Sequence, residues 1–320
     1  MKKSKIIGTG MYVPPYKLTN QDLEKMVDTS NEWIISRTGI EERRICKDEE
    51  TTDIAFNAAV MAIKNAGIKA EEIDMIIMAT ITSENLTPSG ACEVQKKLGA
   101  INATAFDINA ACSGFIYGLT IADSFICSGG AKNVLVVGAE VLSKIVDWKD
   151  RNTCVLFGDG AGAALLTQSE SEGIMGYVTK SNGDKGEYLK CASRQLNEDN
   201  SILNNKFVTM NGKEVFKFAT KAMVDSVEEV LKKSNTKIED IKYIIPHQAN
   251  KRIIEFAASK LNLPLEKFYI NLNLYGNTSS ASIPIALSEV VEKAMVKKGD
   301  KIILVGFGGG LTYGCILIEW

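Results

Sequence analysis

Apolar residues in this chain gather in short runs separated by longer segments of helical period. The runs ending in Met75-Ile-Ile, and Asn133-Val-Leu-Val-Val, Tyr243-Ile-Ile-Pro and Lys301-Ile-Ile-Leu-Val are too short for helices and read as buried strands. Between them, Asp53 to Ala66, Gly90 to Leu98, Gly114 to Ser128 and Gly212 to Lys233 read as helices. Such alternation predicts an α/β chain of βαβ units, with mostly parallel sheets packed between helices. Leu135-Val-Val-Gly followed by Gly162-Ala-Ala-Leu-Leu, and Ile303-Leu-Val-Gly followed by Tyr313-Gly-Cys-Ile-Leu-Ile, are strands in quick succession. Each couple should pair antiparallel at a sheet end.

The pattern occurs twice. Met61-Ala-Ile-Lys-Asn-Ala-Gly-Ile-Lys-Ala-Glu-Glu-Ile-Asp-Met-Ile-Ile matches Glu229-Val-Leu-Lys-Lys-Ser-Asn-Thr-Lys-Ile-Glu-Asp-Ile-Lys-Tyr-Ile-Ile, and Asn133-Val-Leu-Val-Val-Gly matches Lys301-Ile-Ile-Leu-Val-Gly at the same separation. Phe106-Asp-Ile-Asn-Ala-Ala-Cys-Ser-Gly and Tyr269-Ile-Asn-Leu-Asn-Leu-Tyr-Gly-Asn hold comparable places, each a short strand entering a turn. Two similar halves follow, residues 1–170 and 171–320. Residues 171–211 are polar, with Ser181-Asn-Gly-Asp-Lys-Gly and Asn197-Glu-Asp-Asn, and read as a connecting excursion with little core.

With 320 residues, 45% hydrophobic and 24% charged, the chain can bury a large core. A net charge of −2 argues against a general nucleic-acid binder, which would show a basic domain or stripe. The N-terminal apolar run is broken by glycines and by Pro14 and Pro15, so it is not read as a signal peptide. No apolar stretch is expected to reach the roughly 18 residues of a membrane span, and a cytoplasmic protein is expected. Seven scattered cysteines without zinc-like spacing read as reduced core residues rather than a disulfide framework or metal site.

One of them stands where chemistry is possible. Cys112 lies between a strand and an apolar helix, where a helix N-terminus favours thiolate; a small residue packed in a tight turn explains the position as well. The sole histidine, His247, also ends a strand, before a run from Gln248 to Leu261 that reads as a helix, and serves either as a catalytic imidazole or as a capping or core residue. Asn277 lies in the second-half turn that corresponds to the turn of Cys112, and Gly-Asn is also ordinary turn chemistry. All three fall at strand C-terminal ends, where open α/β folds collect ligands. Gly306-Phe-Gly-Gly-Gly-Leu-Thr-Tyr-Gly lacks the Gly-Lys-[Ser/Thr] of a phosphate loop but offers backbone N–H groups to an oxyanion. Gly8-Thr-Gly10 fails as a nicotinamide signature because Pro14 and Pro15 block the helix it needs.

Ala110-Ala-Cys-Ser-Gly-Phe, Phe157-Gly-Asp-Gly-Ala-Gly-Ala, Pro246-His-Gln-Ala-Asn-Lys-Arg, Tyr275-Gly-Asn-Thr-Ser-Ser-Ala-Ser and Gly306-Phe-Gly-Gly-Gly together resemble the motifs of the β-ketoacyl-acyl-carrier-protein synthase III family, in its order and spacing. The resemblance implies a thiolase-like fold of five α-β-α-β-α layers, a homodimer and a Cys112, His247, Asn277 site. It implies acyl transfer from an acyl-coenzyme A primer to Cys112, with the oxyanion held by the N–H groups of Cys112 and Gly309. Decarboxylative condensation with a malonyl group on an acyl carrier protein would follow, with His247 and Asn277 donating to the enolate oxygen. Coenzyme A is then a substrate, and no metal or redox cofactor is implied.

Binding roles carry over by the same resemblance. Trp33, Arg37 and Arg151 match coenzyme A contacts and Asn250 a pantetheine contact, against the plainer readings of an anchoring tryptophan and solvated arginines. Lys217 and Arg252, with Lys213 and Lys221 on the same helix face, suit an acidic carrier protein, although a solvated face has the same spacing. Thr87 stands where acetyl-selective relatives carry a phenylalanine from the partner subunit, so longer or branched primers are expected. The competing readings are a related acyltransferase of a secondary pathway with another acceptor, and a non-catalytic scaffold.

Overall fold

The computed structural model describes residues 3–193 and 207–320; the predicted polar stretch around Asn197 to Asn200 lies outside the described residues. Nine strands form two main sheets. They are β1 (Lys3–Tyr12), β2 (Met75–Ala79), β3 (Thr104–Ile108), β4 (Asn133–Glu140), β5 (Gly160–Ser169), β6 (Gly173–Ser181), β7 (Ile241–Pro246), β8 (Lys301–Gly308) and β9 (Thr312–Glu319). The main helices are α1 (Asn31–Thr38), α2 (Thr51–Ala66), α3 (Gly90–Leu98), α4 (Gly114–Ser128), α5 (Gly212–Lys233), α6 (Lys251–Lys260) and α7 (Ser282–Glu292).

The first sheet has the order β1-β5-β4-β2-β3 and the second β7-β8-β9-β6. β2 runs parallel to β3 and β4, and β7 parallel to β8, while β4/β5 and β8/β9 are antiparallel. The predicted antiparallel couples are present, but neither ends its sheet. β1 covers β5 and β6 covers β9, so each sheet gains an edge strand from the start of its half. Residues 173–181 are therefore not a connecting excursion. Ile174 and Val178 are buried, and the strand completes the second sheet.

Strand alternation sorts the core into layers. Val134 and Val136 pack with the middle-layer residues Phe115, Ile116 and Leu119 of α4, while Leu135 and Val137 pack outward with Ile54 and Ala58 of α2. In the second sheet Ile302 and Leu304 face the same middle layer, and Ile303 and Val305 pack with Met223 and Val227 of α5. Helices α4 and α7 thus lie between two sheets, with α2 and α3 outside one and α5 and α6 outside the other. This is the five-layered α-β-α-β-α arrangement. Gly8 and Gly10 belong to it rather than to a nucleotide: a Cβ on either would lie 2.3 Å from the backbone oxygen of Ala62 or Ala58 in α2.

Two further expectations change. Ala111–Ser128 does reach 18 residues with span-like hydropathy, but it is the helix trapped between the sheets, where burying each large apolar side chain contributes about 1.5–3 kcal/mol. In the second half the counterpart of β3 shrinks to one parallel bridge, Ile244 with Phe268. The buried Gln248 side chain takes the missing strand's place. Its Nε2 donates to Pro246 O (2.8 Å) and Tyr269 O (3.0 Å), and its Oε1 accepts from Asn271 N (3.1 Å). Helix α6 accordingly starts at Lys251 rather than at Gln248, capped by Asn250 Oδ1 on Arg252 N.

Removing that amide leaves three buried backbone groups without partners. Gln248→Ala should lower unfolding free energy by about 3 kcal/mol in urea titration, against less than about 1 kcal/mol for an exposed glutamine.

Candidate active site

Cys112 sits in a single 3₁₀ turn, Ala111–Ser113, between β3 and α4. The second half repeats the turn at Ser279–Ala281, just before α7. Both turns begin on a non-glycine residue in the left-handed region, Ala111 at φ 44° and Ser279 at φ 50°. Each is held by an asparagine two residues earlier. Asn109 Oδ1 accepts from Ala111 N at 3.4 Å, and Asn277 Oδ1 accepts from Ser279 N at 2.8 Å. The turns pack against each other.

The glycine run meets Cys112 directly. A Cβ on Gly308 would come 2.6 Å from the Cys112 backbone nitrogen, so only glycine lets the end of β8 lie on that amide. Thr312 Oγ1 lies within hydrogen-bond reach of Ser113 Oγ (2.7 Å), Ala110 O (2.9 Å) and Gly309 O (2.9 Å), tying the cysteine turn to the loop of Gly309.

His247 is 1% exposed and follows β7; its N–H donates to Val305 O at 2.8 Å and its ring stands edge-on to Phe307, 5.1 Å between centroids. Nδ1 lies 2.7 Å from Ser282 Oγ at the start of α7. Asn277 is 7% exposed, and with Oδ1 engaged by Ser279 N its amide N–H groups form the free end. The three residues singled out in the sequence are therefore organised by one stretch, Asn277–Ser282. Ser279, within it, lines the same cavity as Cys112.

Burial dominates the electrostatics. The Cys112 thiol is pushed up to about 12 by burial, with the Ser279 hydroxyl pulling weakly the other way. This corrects the expectation of a resting thiolate, because the helix end does not offset the loss of water around the sulfur. Burial also pushes His247 down to about 3, leaving the imidazole neutral.

Glu140, at the end of β4, had no signal in the sequence. It is fully buried and accepts from Thr82 Oγ1 (2.8 Å), Ser280 Oγ (3.0 Å), Ile81 N (3.1 Å) and Thr80 Oγ1 (3.3 Å). Burial nevertheless raises it to about 7. It joins the end of β2 to the second-half turn.

A cavity of about 920 Å³ opens over the cysteine, lined by Cys112, Asn109, Phe157, Leu189, Ser279 and Gly309 among others. His247 and Asn277 are not part of its wall, nor is the exposed Thr87, although Asn85 and Leu86 are. The residues matched to coenzyme A form two contacts. The Arg151 guanidinium lies 5.1 Å over the Trp33 ring and donates to Asp28 O at 2.7 Å, and Asn250 Nδ2 donates to Arg37 O at 3.0 Å. The basic face on α5 is partly neutralised, with Lys217 paired to Glu214 (2.8 Å) and Lys221 to Asp225 (2.9 Å). Arg252 stacks 5.8 Å over Phe216.

Two outcomes follow from these shifts. A carboxyl raised from about 4.5 to about 7 contributes stability that is fully present below the lower value and lost as pH rises through the upper one. Glu140→Gln should flatten that decline, changing the melting temperature relative to the parent between about pH 4.5 and 7, a linkage of roughly 3 kcal/mol. Alkylation of Cys112 by iodoacetamide, read by peptide mass spectrometry, should keep accelerating with pH beyond about pH 9; a plateau near neutrality would contradict a protonated resting thiol.

Comparison with known proteins gives the family. The family described as 3-oxoacyl-[acyl-carrier-protein (ACP)] synthase III matches residues 106–183, and its C-terminal counterpart matches residues 231–320. A β-ketoacyl-[acyl-carrier-protein] synthase III of Clostridium tetani is 56% identical, spanning 100% of this chain and 99% of that protein. The crystal structure of 3-oxoacyl-[acyl-carrier-protein] synthase III from Aquifex aeolicus superposes with a TM-score of 0.94 at 52% identity, covering 99% of this chain and 100% of that one. The priming β-ketosynthase of the R1128 polyketide pathway superposes at 0.92 with 34% identity, covering 98% and 96%. This full-length similarity places the chain in the β-ketoacyl-[acyl-carrier-protein] synthase III family of thiolase-like acyltransferases.

Proposed function

We propose that this chain starts type II fatty acid synthesis by condensing an acyl-coenzyme A primer with malonyl-acyl carrier protein, in two steps through an acyl-Cys112 intermediate. The observation that carries the reading is the Asn277–Ser282 stretch. It packs against the cysteine turn with Ser279 lining the same cavity, fixes the amide of Asn277 and meets the ring of His247.

In the first step the Cys112 sulfur attacks the thioester carbon, the oxyanion is met by the N–H groups of Cys112 and Gly309, and coenzyme A leaves carrying the thiol proton. In the second, loss of carbon dioxide from malonyl places negative charge on the thioester oxygen. Neutral His247 and the Asn277 amide donate to that oxygen; the carbanion attacks the acyl carbon, the bond from that carbon to the Cys112 sulfur breaks, and the released thiolate takes a proton from solvent. The chemistry is complete with thioester substrates and these side chains, without a metal or redox cofactor.

Trp33, Arg37, Arg151 and Asn250 hold coenzyme A and its pantetheine arm, and Lys217 and Arg252 meet the carrier protein. Thr87, exposed in one copy, shapes the acyl pocket of a partner subunit. Support for a homodimer comes from β3, whose outer edge pairs with no strand among the described residues, and from the exposed Leu86 and Ile101. A division into halves at 170/171 suits the passage from β5 to β6, and a cytoplasmic location suits cysteines that form no disulfide. Identity of 56% to synthase III against 34% to the polyketide priming enzyme favours fatty acid synthesis over a secondary pathway.

Incubation with labelled acyl-coenzyme A should add one acyl group to Cys112, followed by carbon dioxide release in step with 3-ketoacyl carrier protein. Acyl transfer without carbon dioxide sinks the condensation, and absence of label on Cys112 points to a scaffold. Asn277→Asp keeps the acceptor that Ser279 N uses but removes the donor, so decarboxylation should fall about 10²–10³-fold while acylation of Cys112 persists.

A further inference from the structure

We infer that Ser282 is a positioning residue that selects the tautomer of His247, holding the proton on Nε2 so that this nitrogen is a donor. The inference rests on the reading of His247 as a hydrogen-bond donor and supplies what that reading needs. A neutral imidazole carries one proton, and only one of its two tautomers donates from Nε2.

The argument starts from what each atom is able to do. The Ser282 hydroxyl has one hydrogen and two lone pairs. Gln248 N–H, a donor only, points to Ser282 Oγ at 3.3 Å and occupies one lone pair. The hydroxyl does not cap α7, whose start has no side-chain cap. Among the bonds of the described residues, the one acceptor within reach of the Ser282 O–H is His247 Nδ1, at 2.7 Å. If Nδ1 carried the proton, two donors would converge on one oxygen and the buried hydroxyl hydrogen would have no acceptor, at a cost of about 1–3 kcal/mol. With Nδ1 bare, every group is matched: Gln248 N–H to Ser282 O, Ser282 O–H to Nδ1, and Nε2–H left over.

The surroundings keep this choice rigid. Ser282 is 2% exposed and Gln248 is 1% exposed, so water does not substitute freely for either partner. Gln248 is itself locked by its three side-chain hydrogen bonds, and the imidazole is braced by Phe307. Among the described residues no charged group is hydrogen-bonded to the ring, so the tautomer is set by a neutral hydroxyl, which leaves the imidazole uncharged. A carboxylate at the same place would accept from Nδ1–H and turn Nε2 into an acceptor. Ser282 thereby does for His247 what Ser279 N does for Asn277: it engages the acceptor and leaves the N–H groups available.

Because His247 is the chain's only histidine, one pair of imidazole nitrogens reports the answer in the whole enzyme. Long-range ¹H–¹⁵N correlation on ¹⁵N-histidine-labelled protein near neutral pH should show Nδ1 in the unprotonated range and Nε2 in the protonated range. In Ser282→Ala the two shifts should move toward each other. Malonyl decarboxylation should fall about tenfold while acylation of Cys112 stays within about twofold, since part of one donor's contribution is lost. Ser282→Thr, which keeps the hydroxyl, should restore both the shifts and the rate. A protonated Nδ1 in the parent, or parent-like shifts in Ser282→Ala, overturns the inference without reference to activity. Failure of the wider reading looks different: His247→Ala would then decarboxylate malonyl thioester as fast as the parent, whatever the spectrum shows.

Discussion

Two helices that begin inside the protein are the constraint from which the site follows. Helices α4 and α7 lie between the sheets, and neither has a side-chain cap at its start. A helix start carries N–H groups without intrahelical partners, and burial makes their neglect expensive. Here the chain enters each helix through a tight 3₁₀ turn on a left-handed residue, and an asparagine holds that residue's N–H. Polar side chains are therefore required at this depth for structural reasons, and Cys112 and Asn277 belong to these helix entries. Water excluded by the sheets makes every remaining hydrogen bond count for more.

The same exclusion decides protonation. Sulfur, imidazole and the Glu140 carboxyl are all moved toward their neutral forms by burial. A resting thiol and a neutral imidazole are well suited to a reaction in which charge develops on an oxygen and is met by donors already in place. It also explains why the helix end is a poor predictor of a resting thiolate at Cys112: the partial charge of a helix terminus is worth about 1 kcal/mol, less than the desolvation of a buried sulfur anion.

Much of this was legible in the residues. The repeat aligned the turns of Cys112 and Asn277, the strand periods predicted the antiparallel couples, and His247 was conspicuous as the sole imidazole. What escaped depends on partners distant in sequence. Glu140 ends a strand like any surface glutamate until Thr82 and Ser280 are brought to it, and Gln248 reads as the first residue of a helix until Tyr269 and Asn271 lie beside its amide. The edge strands β1 and β6 were missed because a strand next to a break in the repeat pairs across the whole half, β1 with β5 and β6 with β9. Ser282 hid in a serine-rich turn where spacing distinguishes no one hydroxyl from its neighbours.

The two halves are alike in backbone and complementary in side chains, and the differences fall where the chemistry needs them. Cys112 and Ser280 hold the middle of matching turns, yet the first turn carries a thiol and the second a hydroxyl that ties Ala79 O to Glu140. Glu140 and Gly308 end matching strands, β4 and β8. A side chain at Gly308 would strike the Cys112 amide, whereas a side chain at Glu140 is what fastens the second-half turn in place. Each half thus gives up at one strand end what the other requires: one clears space around the sulfur, the other supplies the carboxyl that holds the turn of Asn277. A duplicated fold becomes a single site through this exchange, because neither half alone presents both the thiol of Cys112 and the amide of Asn277.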